Sequence, residues 1–172
     1  MNLVRIGQVA QCDFSQAPPR VRVQCGELLT DWLPWNAGRA GALRVWAPPA
    51  VGETVILLSP SGDTAGAVVI GSLYNTAMPA PEVSKSVVAL HFSDGARLHY
   101  DQATHVLTAN ISGTVDINAE AIHLKGPVQI DGPLKVKGKI SGSSDVTAAG
   151  VSLIKHCHDK VKAGGDLSGP AQ

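Results

Sequence analysis

Apolar and polar residues alternate with period two along most of this chain, which predicts strands and few helices. Residues 2–10 open the pattern as Leu3-Val4-Arg5-Ile6-Gly7-Gln8-Val9, and residues 20–28 repeat it as Arg20-Val21-Arg22-Val23-Gln24-Cys25-Gly26. Pro18-Pro19 between them enforces a connection, because proline donates no ladder hydrogen bond. Thr30-Asp31-Trp32-Leu33-Pro34-Trp35 follows, then Arg44-Val45-Trp46, a Pro48-Pro49 break, and the apolar run Glu53-Thr54-Val55-Ile56-Leu57-Leu58. Ser61-Gly62-Asp63 marks a tight turn before Gly66-Ala67-Val68-Val69-Ile70-Gly71. Five or so short strands within residues 1–75 predict a small Greek-key barrel of the OB type, with an SH3-like barrel or small sandwich as the alternative.

Residues 76–86, with Pro79 and Pro81, read as a linker. Beyond it, Val87-Val88-Ala89-Leu90-His91-Phe92 and Ala96-Arg97-Leu98-His99-Tyr100 flank Ser93-Asp94-Gly95, a strong hairpin signal. Val115 and Ile117, then Ile122 and Leu124, continue the alternation. Gly126, Gly132 and Gly138 then recur every six residues, with Pro127 and Pro133 after the first two. Between them stand Val128 and Ile130, Leu134 and Val136, and finally Ile140. Each unit reads as a turn plus a very short strand with one apolar face. Such a ribbon cannot bury that face alone, so the chain must wind on itself or associate with copies of itself. Residues 87–150 are therefore expected to form a β-helical or β-prism stem, and residues 151–172 a glycine-rich apex.

Composition narrows the classes. The 172 residues carry 14 basic and 14 acidic side chains, a neutral balance that argues against a nucleic-acid binder. Aromatics are only 4%, so the interior must be built from Val, Ile, Leu and Ala. No run approaches the ~18 apolar residues of a membrane span. Met1 to Phe14 contains one arginine and no long apolar stretch, so no signal peptide is expected. Cys12, Cys25 and Cys157 lack CxxC spacing and read as free thiols.

The candidate chemistry sits at His156 and His158. On a strand, residues two apart face the same side with Cα atoms about 7 Å apart, and Cys157 would face away. Imidazole suits Zn, Fe, Ni or Cu, yet two histidines on a surface are more often only that. One chain supplies two ligands and no obvious third. In a three-fold assembly the two become six, arranged as an octahedron with no open position, which would be a structural site. His91, His99, His105 and His123 are scattered over strand-like stretches. No GxSxG nucleophile motif, phosphate loop or acid/base carboxylate couple is present, so catalysis has no visible seat.

Three stretches carry a resemblance: Asp31-Trp32-Leu33-Pro34, Pro48-Pro49-Ala50-Val51-Gly52-Glu53-Thr54-Val55, and Val69-Ile70-Gly71-Ser72-Leu73-Tyr74-Asn75. They look like the OB domain of phage baseplate assembly protein V, the central spike of contractile tails, R-type pyocins included. His156-Cys157-His158, followed by Gly164-Gly165 and Ser168-Gly169-Pro170, resembles the apex motif of that family. The resemblance implies an all-β homotrimer: an N-terminal OB fold, an intertwined triple-stranded β-helix, and a metal-capped apex. It implies that His156 and His158 of three chains bind one iron ion per trimer, with Zn or Ni possible by ligand chemistry. It further implies baseplate hub and tail tube proteins as partners, the bacterial outer membrane as target, and a place at the tail tip of a virion or pyocin particle. Larger relatives insert a lysozyme domain after the OB fold; the short linker leaves no room for one, so no enzyme is expected. Cys157 departs from the family, where a non-thiol residue is usual between the histidines. Two other functions fit parts of the pattern: a trimeric hexapeptide-repeat acyltransferase, and an OB-type oligonucleotide or oligosaccharide binder.

Overall fold

In the computed structural model, which describes residues 3–157 and 164, regular structure is almost entirely β, and no helix is long and apolar enough to cross a membrane. The first sheet contains β1 (Val4–Asp13), β2 (Arg20–Cys25), β3 (Leu28–Leu29), β4 (Thr54–Leu58) and β5 (Val68–Leu73), in the order β3-β2-β1-β4-β5 with antiparallel neighbours. Its alternation is the one the sequence predicts. Val21 and Val23 of β2, and Val55 and Leu57 of β4, are buried, while the residues between them lie nearer the surface. With Val9, Leu33, Ala67 and Val69 they make one aliphatic core. Each Val or Leu side chain withdrawn from water contributes about 1.5–3 kcal/mol.

The sheet curls because β1 carries a bulge between Val9 and Gln11, which bends the strand and increases its twist. Closure comes from residues 33–36. Leu33 bridges Val21 of β2, and Trp35 bridges Val69 of β5 in parallel. Val69 N–H donates to the Pro34 carbonyl at 3.0 Å, and Asn36 N–H donates to the Val69 carbonyl at 2.7 Å. The short extended segment after β3 thus joins β2 to the edge strand β5, giving the five-stranded, partly open barrel of an OB fold.

Two expectations change in detail. Residues 20–28 are not one strand, because Gly26 takes φ +61° and turns the chain so that Cys25 pairs with Leu28. Arg44-Val45-Trp46 is not a strand either; its backbone makes an isolated Ala40–Arg44 bridge and the Val45 N–H bond to the Arg39 carbonyl.

By its contacts the chain divides into two compact units, residues 1–117 and 118–172. The first also contains a three-stranded antiparallel meander, β6 (Val87–His91), β7 (Arg97–Asp101) and β8 (Val106–Asn110). Its β6–β7 connection is the expected Ser93-Asp94-Gly95 turn, with Gly95 at φ +87°. In the second unit, β9 (Thr147–Ala148) and β10 (Val151–Ser152) form a small hairpin around Ala149-Gly150, both at positive φ. Among the described residues no strand lies between Ile111 and Val146. Val115, Ile117, Ile122, Leu124, Val128, Ile130, Leu134, Val136 and Ile140 are all exposed. Gly126 and Gly132 adopt φ +134° and +155°, where a Cβ is strained, so these repeat glycines are chosen for backbone conformation.

Candidate functional site

The residues that carry the family resemblance build the barrel's lower seam. Glu53, at the start of β4, accepts from Ala50 N–H at 2.8 Å and from the Ser72 hydroxyl of β5. Asn75 Nδ2 donates to the Gly52 carbonyl at 3.1 Å and to Thr54 Oγ1 at 2.9 Å, while its Oδ1 accepts from Ala77 and Met78 N–H. Gly52 takes φ +89°, which lets the turn place its carbonyl there. Pro49 is buried, and its carbonyl accepts from Cys12 Sγ at 3.4 Å. The stretches 48–55 and 69–75 therefore answer each other across one joint, a structural role for residues that sequence reading registers only as a motif.

In the second unit, the β9–β10 hairpin positions His156. A turn follows β10: Lys155 N–H donates to Ser152 Oγ at 2.9 Å, and His156 N–H donates to the Ser152 carbonyl at 3.1 Å. Asp145 receives Ile154 N–H at 3.2 Å. The Ser152 hydroxyl, opposed by desolvation and aided by several backbone N–H groups, holds the Asp145 carboxyl below its ordinary range. His156 Nδ1 lies 3.1 Å from the Ser152 carbonyl and 3.2 Å from that of Leu153. A carbonyl can only accept, so Nδ1 is the donor in these two contacts. Two backbone carbonyls thus orient the imidazole ring of His156 through Nδ1.

The strand geometry expected for His156-Cys157-His158 is not found at its first two residues, which lie beyond β10 after the turn. Cys157 is exposed, with Sγ directed back toward the Lys155 carbonyl at 3.8 Å. His158 lies outside the described residues. Among the described residues, no three of His, Cys, Asp and Glu gather to hold a metal within one chain. The remaining histidines are dispersed: His91 pairs with Arg97 and His99 with Ala89 in the meander, and His105 sits in its second turn at φ +58°. Cys12 and Cys25 are free thiols; burial, with the Glu53 charge, pushes Cys12 up, and burial outweighs the Arg5 charge to push Cys25 up.

A feature that sequence reading missed is the gathering of Phe14, Trp35 and Trp46 on the barrel. Their ring centroids are 5.7–6.1 Å apart, with Phe14 set edge-on to both indoles. Beside them runs a groove of about 880 Å3 lined by Pro18, Pro34, Val45, the two tryptophans and three arginines. The signal was present only as three aromatic residues in connections where loops are ordinarily polar.

A barrel of this order, closed after its third strand, places the chain among OB-fold proteins. Residues 5–74 match the family model of the type VI secretion system/phage-baseplate injector OB domain. Over 118 residues, the chain is 36% identical to the spike protein of Escherichia phage P2, covering 69% of this chain and 55% of that protein. The chain thus spans about half the length of the curated relative it matches. Residues 5–74 thus belong to the injector OB-domain family, and the chain resembles the spike of a phage baseplate.

Proposed function

We propose that this chain is the central spike of a contractile tail, a mechanical part without catalytic activity, acting as a homotrimer at the tail tip of a virion or related particle. One observation carries the reading furthest: the apolar residues from Val115 to Ile140 are exposed in the single chain, at strand spacing and with two of the three repeat glycines, Gly126 and Gly132, at positive φ. Exposed apolar side chains in such a regular series call for a cover of matching period. Two further copies would supply it, pairing the extended segments into an intertwined triple-stranded β-helix and removing their free edges. The OB domain would join this stem to the baseplate hub and tail tube, and the stem would pierce the bacterial outer membrane when the sheath contracts.

At the apex, His156 and His158 of three chains would hold one metal ion, iron on the family resemblance and Zn or Ni compatible with the donors. The bound ion would supply cross-linking: it ties chain ends together where strands stop and the apolar interior is thinnest. The test is a mass and an element count on the purified chain. Light scattering should give three times the 17.8 kDa chain mass, and elemental analysis one metal per three chains. A folded monomer at micromolar concentration would overturn the spike reading, whereas a metal-free trimer would overturn only the apex.

A further inference from the structure

The groove beside Trp35 and Trp46 combines features that barrel stability does not require. Trp46 is 63% exposed and Phe14 47%, although both are large apolar groups held in fixed contact with Trp35. Arg20, Arg39 and Arg44 stand among the lining residues, and no carboxylate does. Arg20 Nη1 donates to the Pro19 carbonyl at 3.3 Å. Arg39 and Arg44 are exposed, and no acidic side chain among the described residues pairs with either. The site therefore has an aromatic, proline-lined floor and an uncompensated guanidinium rim.

We propose that this groove docks an extended acidic segment of a baseplate partner protein, with proline or leucine side chains on the indoles and carboxylates on Arg39 and Arg44. Aromatic-lined grooves favour extended, proline-bearing segments, which lose little conformational entropy on binding. Guanidinium groups grip carboxylates with two parallel hydrogen bonds, and the pairing adds charge selectivity to the apolar contact. The volume of about 880 Å3 is that of a pocket for a few residues, not for a whole domain. Single-stranded nucleic acid fits less well. Its binding needs ring faces laid out in a row and a basic track along the backbone; here the rings pack edge-on and the positive charge is local, on a chain of net charge zero.

This inference deepens the docking role proposed for the OB domain and rests on it. The test uses the full chain, its tryptophan fluorescence, and four probes: peptides of repeating Glu-Pro-Leu, Ser-Pro-Leu and Lys-Pro-Leu, and an oligothymidylate of equal length. The acidic peptide should bind at least about tenfold more tightly than the serine peptide, and the lysine peptide not at all. Arg39→Glu with Arg44→Glu, both on exposed side chains, should keep the melting temperature and reverse the preference toward the lysine peptide. Equal binding of the three peptides, or tighter binding of the oligothymidylate, overturns the proposal. A second readout separates it from the docking role: incorporation of each variant into particles assembled without the native chain. The charge-reversed chain should be excluded where the wild type enters. If it enters equally, the groove is not the docking site and the OB domain docks elsewhere; if the wild type itself fails to enter, the docking role falls and the groove with it.

Discussion

Gly7 of β1 lies so close to Gln24 of β2 that a Cβ on the glycine would stand 2.6 Å from the Gln24 carbonyl oxygen. The same atom would meet Cys25 Sγ at 2.6 Å and Val23 Cγ1 at 2.7 Å. A backbone oxygen in a paired strand cannot step aside, so β1 and β2 approach closely only because position 7 has no side chain.

Gly7→Ala is therefore expected to destabilise the barrel by about 1–3 kcal/mol, the usual cost of forcing a methyl group into filled space. Thermal unfolding of the residue 1–117 signal would show it as a drop in melting temperature. An unchanged midpoint would mean that the strands separate more easily than this packing implies.

Leu134→Lys should leave the barrel folded and weaken association of the chains, since Leu134 is exposed in one copy and would face the shared interior of three. A buried, unpaired ammonium is costly enough to compete with the whole of a thin apolar seam. Light scattering on dilution would register dissociation at a higher concentration than for the wild type. Equal dissociation curves would place Leu134 outside the interface.

Changing both His156 and His158 to alanine should abolish metal uptake while the circular dichroism of the barrel and meander stays the same. In the wild type, acid should release the ion, because a protonated imidazole has no lone pair to donate. Elemental analysis after buffer exchange over a pH series decides between this and a site made elsewhere. Full retention of metal by the double variant would remove these histidines from the ligand set.

Asp101 ends β7 and accepts from Ala103 N–H at 2.8 Å, the Ser86 hydroxyl at 2.9 Å and Thr104 Oγ1 at 3.1 Å. These bonds, led by that from Ala103 and only partly opposed by desolvation, hold its carboxyl below the ordinary 3.8. A depressed folded-state value means the carboxylate stabilises the turn at any pH above 3.8, and this contribution fades as pH falls through the lower, folded value. Amide exchange at Ala103 should accelerate, relative to its intrinsic rate, only below that range. Asp101→Asn should flatten the dependence, and an equally steep profile in that variant would assign the effect to another acid.

The barrel was legible because Val21, Val23, Val55 and Leu57 alternate with polar or surface positions, and that pattern survives any detail of the connections. Closure by Leu33 to Asn36 was not legible, since a bridge to Val69 depends on where β5 lies and not on local composition. Val45 and Trp46 imitate a strand, yet they have no sheet neighbour and stay exposed. The β9–β10 hairpin escaped notice because Thr147-Ala148 and Val151-Ser152 are too short to show alternation. After β10, residue types marked His156, but only the fold supplies the Ser152 and Leu153 carbonyls that orient its ring. The grouping of Phe14, Trp35 and Trp46 was hidden by sequence distance alone.

The ladderless stretch from Ile111 to Val146 has a consequence in time. The barrel's pairs all lie within residues 4–73, so each chain can complete that part by itself, as soon as it leaves the ribosome. The stretch from Ile111 to Val146 has no such private route on the trimeric reading, because its ordering and its encounter with other copies are one event. Its rate would then rise with the supply of newly made chains, where the barrel's would not. Between those two moments each chain would carry a finished head and an adhesive tail, and proteases and aggregation would act on that interval. A host that made the protein in a short, dense burst would lose less of it than one that made the same amount slowly.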